Sequence, residues 1–263
     1  MPFHFVKREM LMNESVLKAL KLLDFFIEEP ELTLRDLARL SGMPKPTVYR
    51  FLAALEKYHF VKKIKYSELD IRYKLGTKLL ELGNVVAEQL ELRKVALPHM
   101  QRLGSEVEEV VHLTIREGNE AVYIEKVESK KALRLFIRVG KRAPLHAGSG
   151  PKLLLAFTPE EEFQQIISHY PLESLTKNTI TEKRKLLEEM KKIRADGFAV
   201  SEGEQDEDTV GISFPVRDYT GNVIAALGVS GLKYAFREPR LTEIKERVRV
   251  AAEQISKELG FIH

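Results

Sequence analysis

Val16, Leu17, Leu20, Leu23, Phe26 and Ile27 recur at three- and four-residue steps, the spacing of one helical face, and predict a helix over 15–29. Asn13 or Ser15 can cap its start, and Pro30 closes it. A second helix is expected over 33–40, opened by Thr33 with Asp36 as its capping-box partner and striped by Leu34, Leu37 and Leu40. Ser41-Gly42 makes a tight stop. Pro44-Lys45-Pro46 then sets a proline at or near the first helical position, and Val48, Phe51, Leu52 and Leu55 stripe a third helix. Phe60-Val61 and Tyr73-Lys74-Leu75 bracket the charged run KKIKYSELDIR, which reads as a hairpin with a solvated tip. Helix, helix, turn, helix and basic hairpin make a winged helix-turn-helix.

From Leu79 to Leu97 a long periodic run contains Gly83, with Pro98 following, and reads as a connecting helix broken before a second one. The period then becomes two. Val111, Leu113 and Ile115 alternate with His112, Thr114 and Arg116, and 122–124 and 133–139 are further strand candidates. Helices are expected around 152–157, 160–169 and 181–195, then strands over 210–216 and 223–230 about the turn residues Asp218-Tyr219-Thr220-Gly221, then a closing helix over 239–259. The fold class is therefore α+β. The expected division is a winged helix-turn-helix domain over 1–75, a linker helix over 76–104 and an α+β domain over 105–263.

The 263 residues suit two domains, and 44% hydrophobic content suffices for real cores. No apolar run is long enough to span a membrane, and the first residues lack a leader pattern, so a cytoplasmic protein with no membrane partner is expected. With no cysteine, disulfides, thiolate nucleophiles and Cys-based metal sites are excluded. The net charge of +3 is unevenly spread: residues 44–74 hold eight basic against three acidic side chains. A compact basic segment on a near-neutral chain is the footprint of a nucleic-acid reader or a solvated face.

The seven histidines are scattered, without metal-ligand spacing, and no metal or cofactor is expected. Gly148-Ser149-Gly150-Pro151-Lys152 is not a nucleotide phosphate loop: Pro151 removes an amide donor, and Leu153 follows the lysine. Ser149 and His146 have no acid partner for nucleophilic catalysis. The small residues ahead of Leu153-Leu154-Leu155 can instead offer backbone amides at a helix start to a carboxylate, or simply cap a turn. The acidic run SEGEQDED at 201–208 reads as a solvated loop whose edges could hold a polar ligand.

The segments SVLKALKLLDFF, LARLSGMPKPTVYRFLAALEKYHFV, YKLGTKLLELG, YIEKVESKKALRLFIRVGKRAPLHAGSGPKLLLAF, DGFAVSEGE and AAEQISKELG, in this order and spacing, resemble the isocitrate lyase regulator (IclR) family of bacterial transcription factors. The likeness runs over about 15–260. It implies a winged helix-turn-helix, a linker helix and a GAF-like antiparallel sheet with flanking helices, in dimers or tetramers acting on operator DNA. The chain departs from the family in having Pro46 where a Ser or Thr usually opens the recognition helix, and GSGPK where the effector loop is commonly rich in Ala and Thr.

On this reading Lys45, Thr47, Tyr49 and Arg50 face base edges and flanking phosphates of double-stranded operator DNA, while Lys62, Lys63, Lys65 and Arg72 on the wing neutralise phosphates. The family's pocket maps onto Gly148, Ser149, Gly150, Ser201, Thr209, Gly211, Gly228 and Ser230, holding a small anionic organic effector such as a carboxylate or sugar acid, with Leu145 and Phe214 as apolar walls. The function expected is a regulator, a repressor of a catabolic operon, working as a homodimer or homotetramer. The rival is a GAF-like small-molecule enzyme fused to a DNA-binding module, against which stands the lack of an acid, base and nucleophile set.

Overall fold

The computed structural model describes residues 13–89, 91–132, 135–169 and 171–262, apart from the side chains of 86–89. The chain divides into two compact units between residues 89 and 90. Among the described residues no helix is long and apolar enough to cross a membrane.

In the first unit, α1 (Glu14–Glu28) starts on Asn13, whose side chain accepts the Ser15 amide. β1 (Leu32–Thr33) leads into α2 (Leu34–Ser41), where Thr33 and Asp36 form the expected capping box. The hydrogen bond from Thr33 holds the Asp36 carboxyl below its usual range. Gly42, at φ 68°, turns the chain into α3 (Lys45–Lys57). β2 (Val61–Lys65) and β3 (Ile71–Leu75) form the hairpin, β1 adds to β3, and α4 (Thr77–Gln89) follows. Leu22, Phe26, Leu37, Val48, Leu52, Val61 and Tyr73 make the core. The apolar face read on α1 is split. Phe26 points inward with Leu22, which lies outside the predicted stripe, whereas Val16, Leu17, Leu20 and Ile27 are about half exposed.

The second unit opens with α5 (Glu91–Val107). Residues 91–104, placed by sequence in the linker, thus contribute Ala96, Met100 and Leu103 to this unit's core. The sheet comprises β4 (Val110–Glu117), β5 (Glu120–Val127), β6 (Arg142–Pro144), β7 (Ala199–Glu202), β8 (Thr209–Arg217) and β9 (Val223–Leu232), in the order β6-β5-β4-β9-β8-β7, all antiparallel. Strand β7 was not foreseen. The strand expected over 133–139 does not form among its described residues: Gly140 bonds back to the Tyr123 carbonyl at 2.7 Å, Phe136 is exposed, and the outer edge of β5 goes to β6 instead. Residues 133–134 lie outside the described residues.

Alternation sorts the sheet into two faces. Val111, Leu113, Ile212, Phe214, Leu227 and Val229 face α5 and α9 (Arg240–Glu258). The opposite face lies under α6 (Ser149–Ala156), α7 (Glu160–His169) and α8 (Lys183–Asp196). On that face the register aligns Val110, Ser230, Gly211 and Ser201 in one row across the sheet, and His112, Gly228, Ser213 and Ala199 in the next. Both faces being covered, His112 and Thr114 are buried as completely as the valines beside them.

Burial pushes the His112 imidazole down to about 4. In the unfolded chain it takes up a proton near pH 6.5, so between those values the unfolded state binds more protons. The stability this contributes is complete above pH 6.5 and declines as pH falls toward 4, by on the order of 3 kcal/mol. Urea unfolding between pH 7 and 4.5 is expected to show a steeper acid loss in the wild type than in His112→Asn; parallel curves would contradict this origin.

Candidate functional site

In the first unit the turn at Gly42 exposes the opening of α3. Lys45, Tyr49 and Arg50 are exposed, Thr47 is half-buried, and Val48 is buried beneath them. Pro46 occupies the first turn, where its missing N–H would have had no helical partner. Among the described residues, Lys45 and Arg50 have no carboxylate partner.

The four wing residues named from the sequence differ. Arg72 holds Asp70 through two nitrogens, at 2.9 and 3.3 Å, and lies over the Tyr66 ring, whose hydroxyl donates to Glu31. Lys65 pairs with Glu68. Lys62 and Lys63 are exposed and have no ion-pair partner among the described residues, and Lys62 stands directly opposite Lys74 in the hairpin register. Like charges facing across a ladder destabilise it, and an anion between them would relieve the repulsion.

In the second unit a cleft of about 440 Å³, counting the part open to solvent, lies over the first turn of α6. Six of the eight pocket residues expected from sequence line it: Gly148, Ser149, Ser201, Thr209, Gly211 and Ser230. Gly150 and Gly228 lie behind them. A Cβ on Gly150 would meet Thr114 Oγ1 at 3.1 Å, and one on Gly228 would meet His112 Cε1 at 2.3 Å. Gly148 adopts φ 95°, which favours glycine. The Ser149 and Gly150 amides begin α6 and have no acceptor among the described residues. Below them Ser149 Oγ bonds Ser213 Oγ at 2.8 Å, and His112 Nε2 bonds Ser230 Oγ at 2.9 Å.

The apolar walls are not Leu145 and Phe214. Leu145 is sealed in the core under α6, and Phe214, one residue out of phase with Gly211 and Ser213, faces the other side of the sheet and stacks on Phe198. Leu135, Phe136 and Ile137 line the cleft instead, with Tyr123, whose hydroxyl burial pushes up to about 12. The run 201–208 is only partly solvated. Glu204 is buried with Oε2 on the Gly148 amide at 2.9 Å, and Gln205 Nε2 donates to the Ala147 carbonyl. Sequence reasoning missed Tyr123, Ser213, Gln205 and Glu204. The alternation of β8 could have given Ser213 from Gly211. Among the described residues no cluster could hold a metal ion.

Two family models match the chain: the IclR helix-turn-helix domain over residues 15–64 and the bacterial transcriptional regulator IclR C-terminal domain over 84–257. Over 249 residues the chain is 38% identical to the HTH-type transcriptional regulator KipR of Bacillus subtilis, covering 95% of this chain and 98% of that one. It is 34% identical over 247 residues to the regulator KdgR of Escherichia coli, covering 94% and 93%. The IclR of Thermotoga maritima superposes with a TM-score of 0.77 at 31% identity, over 94% of this chain and 99% of that one. An IclR homologue from Microbacterium hydrocarbonoxydans, solved with 4-hydroxybenzoate, gives 0.80 at 27%, over 93% and 98%. These relatives are regulators, not enzymes, so the rival reading falls. With both family domains matched in order and the reading helix, wing and cleft in place, the chain belongs to the IclR family and is a DNA-binding transcriptional regulator.

Proposed function

We propose that this regulator represses catabolic genes and is controlled by a small carboxylate or sugar acid bound in the cleft over α6. The observation that carries the effector reading is the convergence at one cleft of Ser149, whose amide is unclaimed at the start of α6 with that of Gly150 next behind it, and the hydroxyl-bearing residues Ser201, Thr209 and Ser230. The IclR homologue solved with 4-hydroxybenzoate, itself a carboxylate, supports the same class of ligand. Such a ligand shifts DNA affinity only by binding one conformation of the regulator better than the other. A thermal-shift screen of small carboxylates and sugar acids tests it: a true effector at ~100 times its Kd adds about 2.7 kcal/mol of stability. No stabilisation by any of them would refute the effector class.

On DNA, Lys45, Thr47, Tyr49 and Arg50 take the reading positions and Lys62 and Lys63 the phosphates, with Lys65 and Arg72 engaged by their own carboxylates. Arg50→Ala is expected to weaken the preferred site by about 1 to 3 kcal/mol and to alter base preference. Equal loss on random DNA would reduce Arg50 to a phosphate contact. Lys62→Ala should lower affinity for all sequences, flatten the salt dependence by about one unit of slope, and slightly stabilise the free protein by relieving the Lys62–Lys74 repulsion. An unchanged salt slope would remove Lys62 from the interface.

The exposed Val16, Leu17 and Leu20 on α1 and Leu80, Leu82 and Val85 on α4 support assembly as a homodimer or homotetramer, since two-fold operators need paired reading helices. Light scattering at micromolar concentration is expected to give a dimer or tetramer. A monomer that binds operator DNA with full affinity would contradict this.

A further inference from the structure

Lys152 is 1% exposed and heads the largest fully buried side chains, yet it carries a charge. Its ammonium donates to Glu204 Oε1 at 2.6 Å, Glu189 Oε1 at 2.7 Å and the Val200 carbonyl at 2.8 Å, which uses all three of its protons. The other oxygen of Glu204 accepts the Gly148 amide. A carboxylate thus sits on the amide immediately before the two that α6 leaves unclaimed. It is fixed there: the Glu204 carbonyl accepts Thr179 Oγ1 at 2.7 Å and the Gly203 carbonyl accepts Thr176 Oγ1 at 2.6 Å. An anion arriving at Ser149 and Gly150 would meet this like charge across a low-dielectric interior, where repulsion is poorly screened.

We propose that the buried Lys152–Glu204 pair sets the charge preference of the cleft, Lys152 offsetting the carboxylate that Glu204 keeps on Gly148, so that a ligand anion is admitted beside it. This rests on the cleft being a carboxylate site. Lys152 acts through Glu204 and is a positioning residue. Its effect should therefore appear in the ratio of affinities for an acid and its uncharged amide, which a purely structural role would leave constant.

Calorimetric titration of the full chain with benzoate against benzamide, and with pyruvate against pyruvamide, measures that ratio. Glu204→Gln keeps the side chain's size and removes one negative charge, leaving one acceptor oxygen where the carboxylate offers two, to Lys152 and to the Gly148 amide. It should raise the acid-to-amide ratio by on the order of tenfold. Lys152→Met should lower the ratio by a similar factor, and Lys152→Met/Glu204→Gln, which carries the wild-type net charge, should restore it to within about twofold. Leaving Glu204 buried without its partner could cost Lys152→Met its fold. The Glu204→Gln and double variants decide the matter in that case. A wild type that prefers the acids while Glu204→Gln leaves the ratio unchanged overturns this inference alone. A wild type that binds neither acid overturns the carboxylate reading, and this inference with it.

Discussion

The first turn of α6 lies close on the sheet because Gly211 carries no side chain beneath Ser149, and Gly228 leaves room for the His112 ring in the layer below. A Cβ on Gly211 would stand 2.7 Å from Ser149 Oγ and 2.8 Å from Ser230 Oγ, and one on Gly228 would stand 2.3 Å from the His112 ring. A side chain at Gly211 would crowd the Ser149 and Ser230 hydroxyls, and one at Gly228 would displace the His112 ring. Because α6 is pressed down, all eight of its residues are buried, and every polar group in that layer has to find a partner inside the protein. Ser149 finds Ser213, His112 finds Ser230, and Lys152 finds two carboxylates and a carbonyl. What the layer leaves unclaimed, the opening amides of the helix, is what the cleft presents to a ligand.

The same logic separates the basic residues of the first unit. Arg72 and Lys65 are held by Asp70 and Glu68, and these surface pairs fix the hairpin's shape rather than its affinity for anything outside. Among the described residues Lys45, Arg50, Lys62 and Lys63 have no such partner, and Lys62 is set against Lys74. Counting basic residues along the sequence treats the two kinds alike.

Much of the architecture was legible because local rules and tertiary packing agreed. The Thr33–Asp36 capping box, the turn at Gly42 and the hairpin ends each follow from a few adjacent residues. Strand β7 was hidden because its four residues, which run into the acidic stretch, carry too short a pattern, while 133–139 alternate convincingly in sequence but the outer edge of β5 is taken by β6. The pocket residues came from the family resemblance rather than from spacing. The error over Phe214 was avoidable, because strand parity puts it opposite Gly211 and Ser213. Glu204 was beyond reach: nothing local marks one glutamate of SEGEQDED as buried, and its partner Lys152 is 52 positions away.

If the cleft over α6 controls DNA binding, Gly211 gives access to that control. Its neighbours are rotatable hydroxyls rather than backbone, so Gly211→Ala should fold while its methyl crowds Ser149 and Ser230 at the cleft floor. The direct measurement is fluorescence anisotropy on DNA selected from a random pool by the wild type, with and without a carboxylate that stabilises the wild type. The account predicts wild-type DNA affinity for Gly211→Ala in the absence of ligand, and loss of the ligand-induced change that the wild type shows. An undiminished ligand response in Gly211→Ala would contradict it.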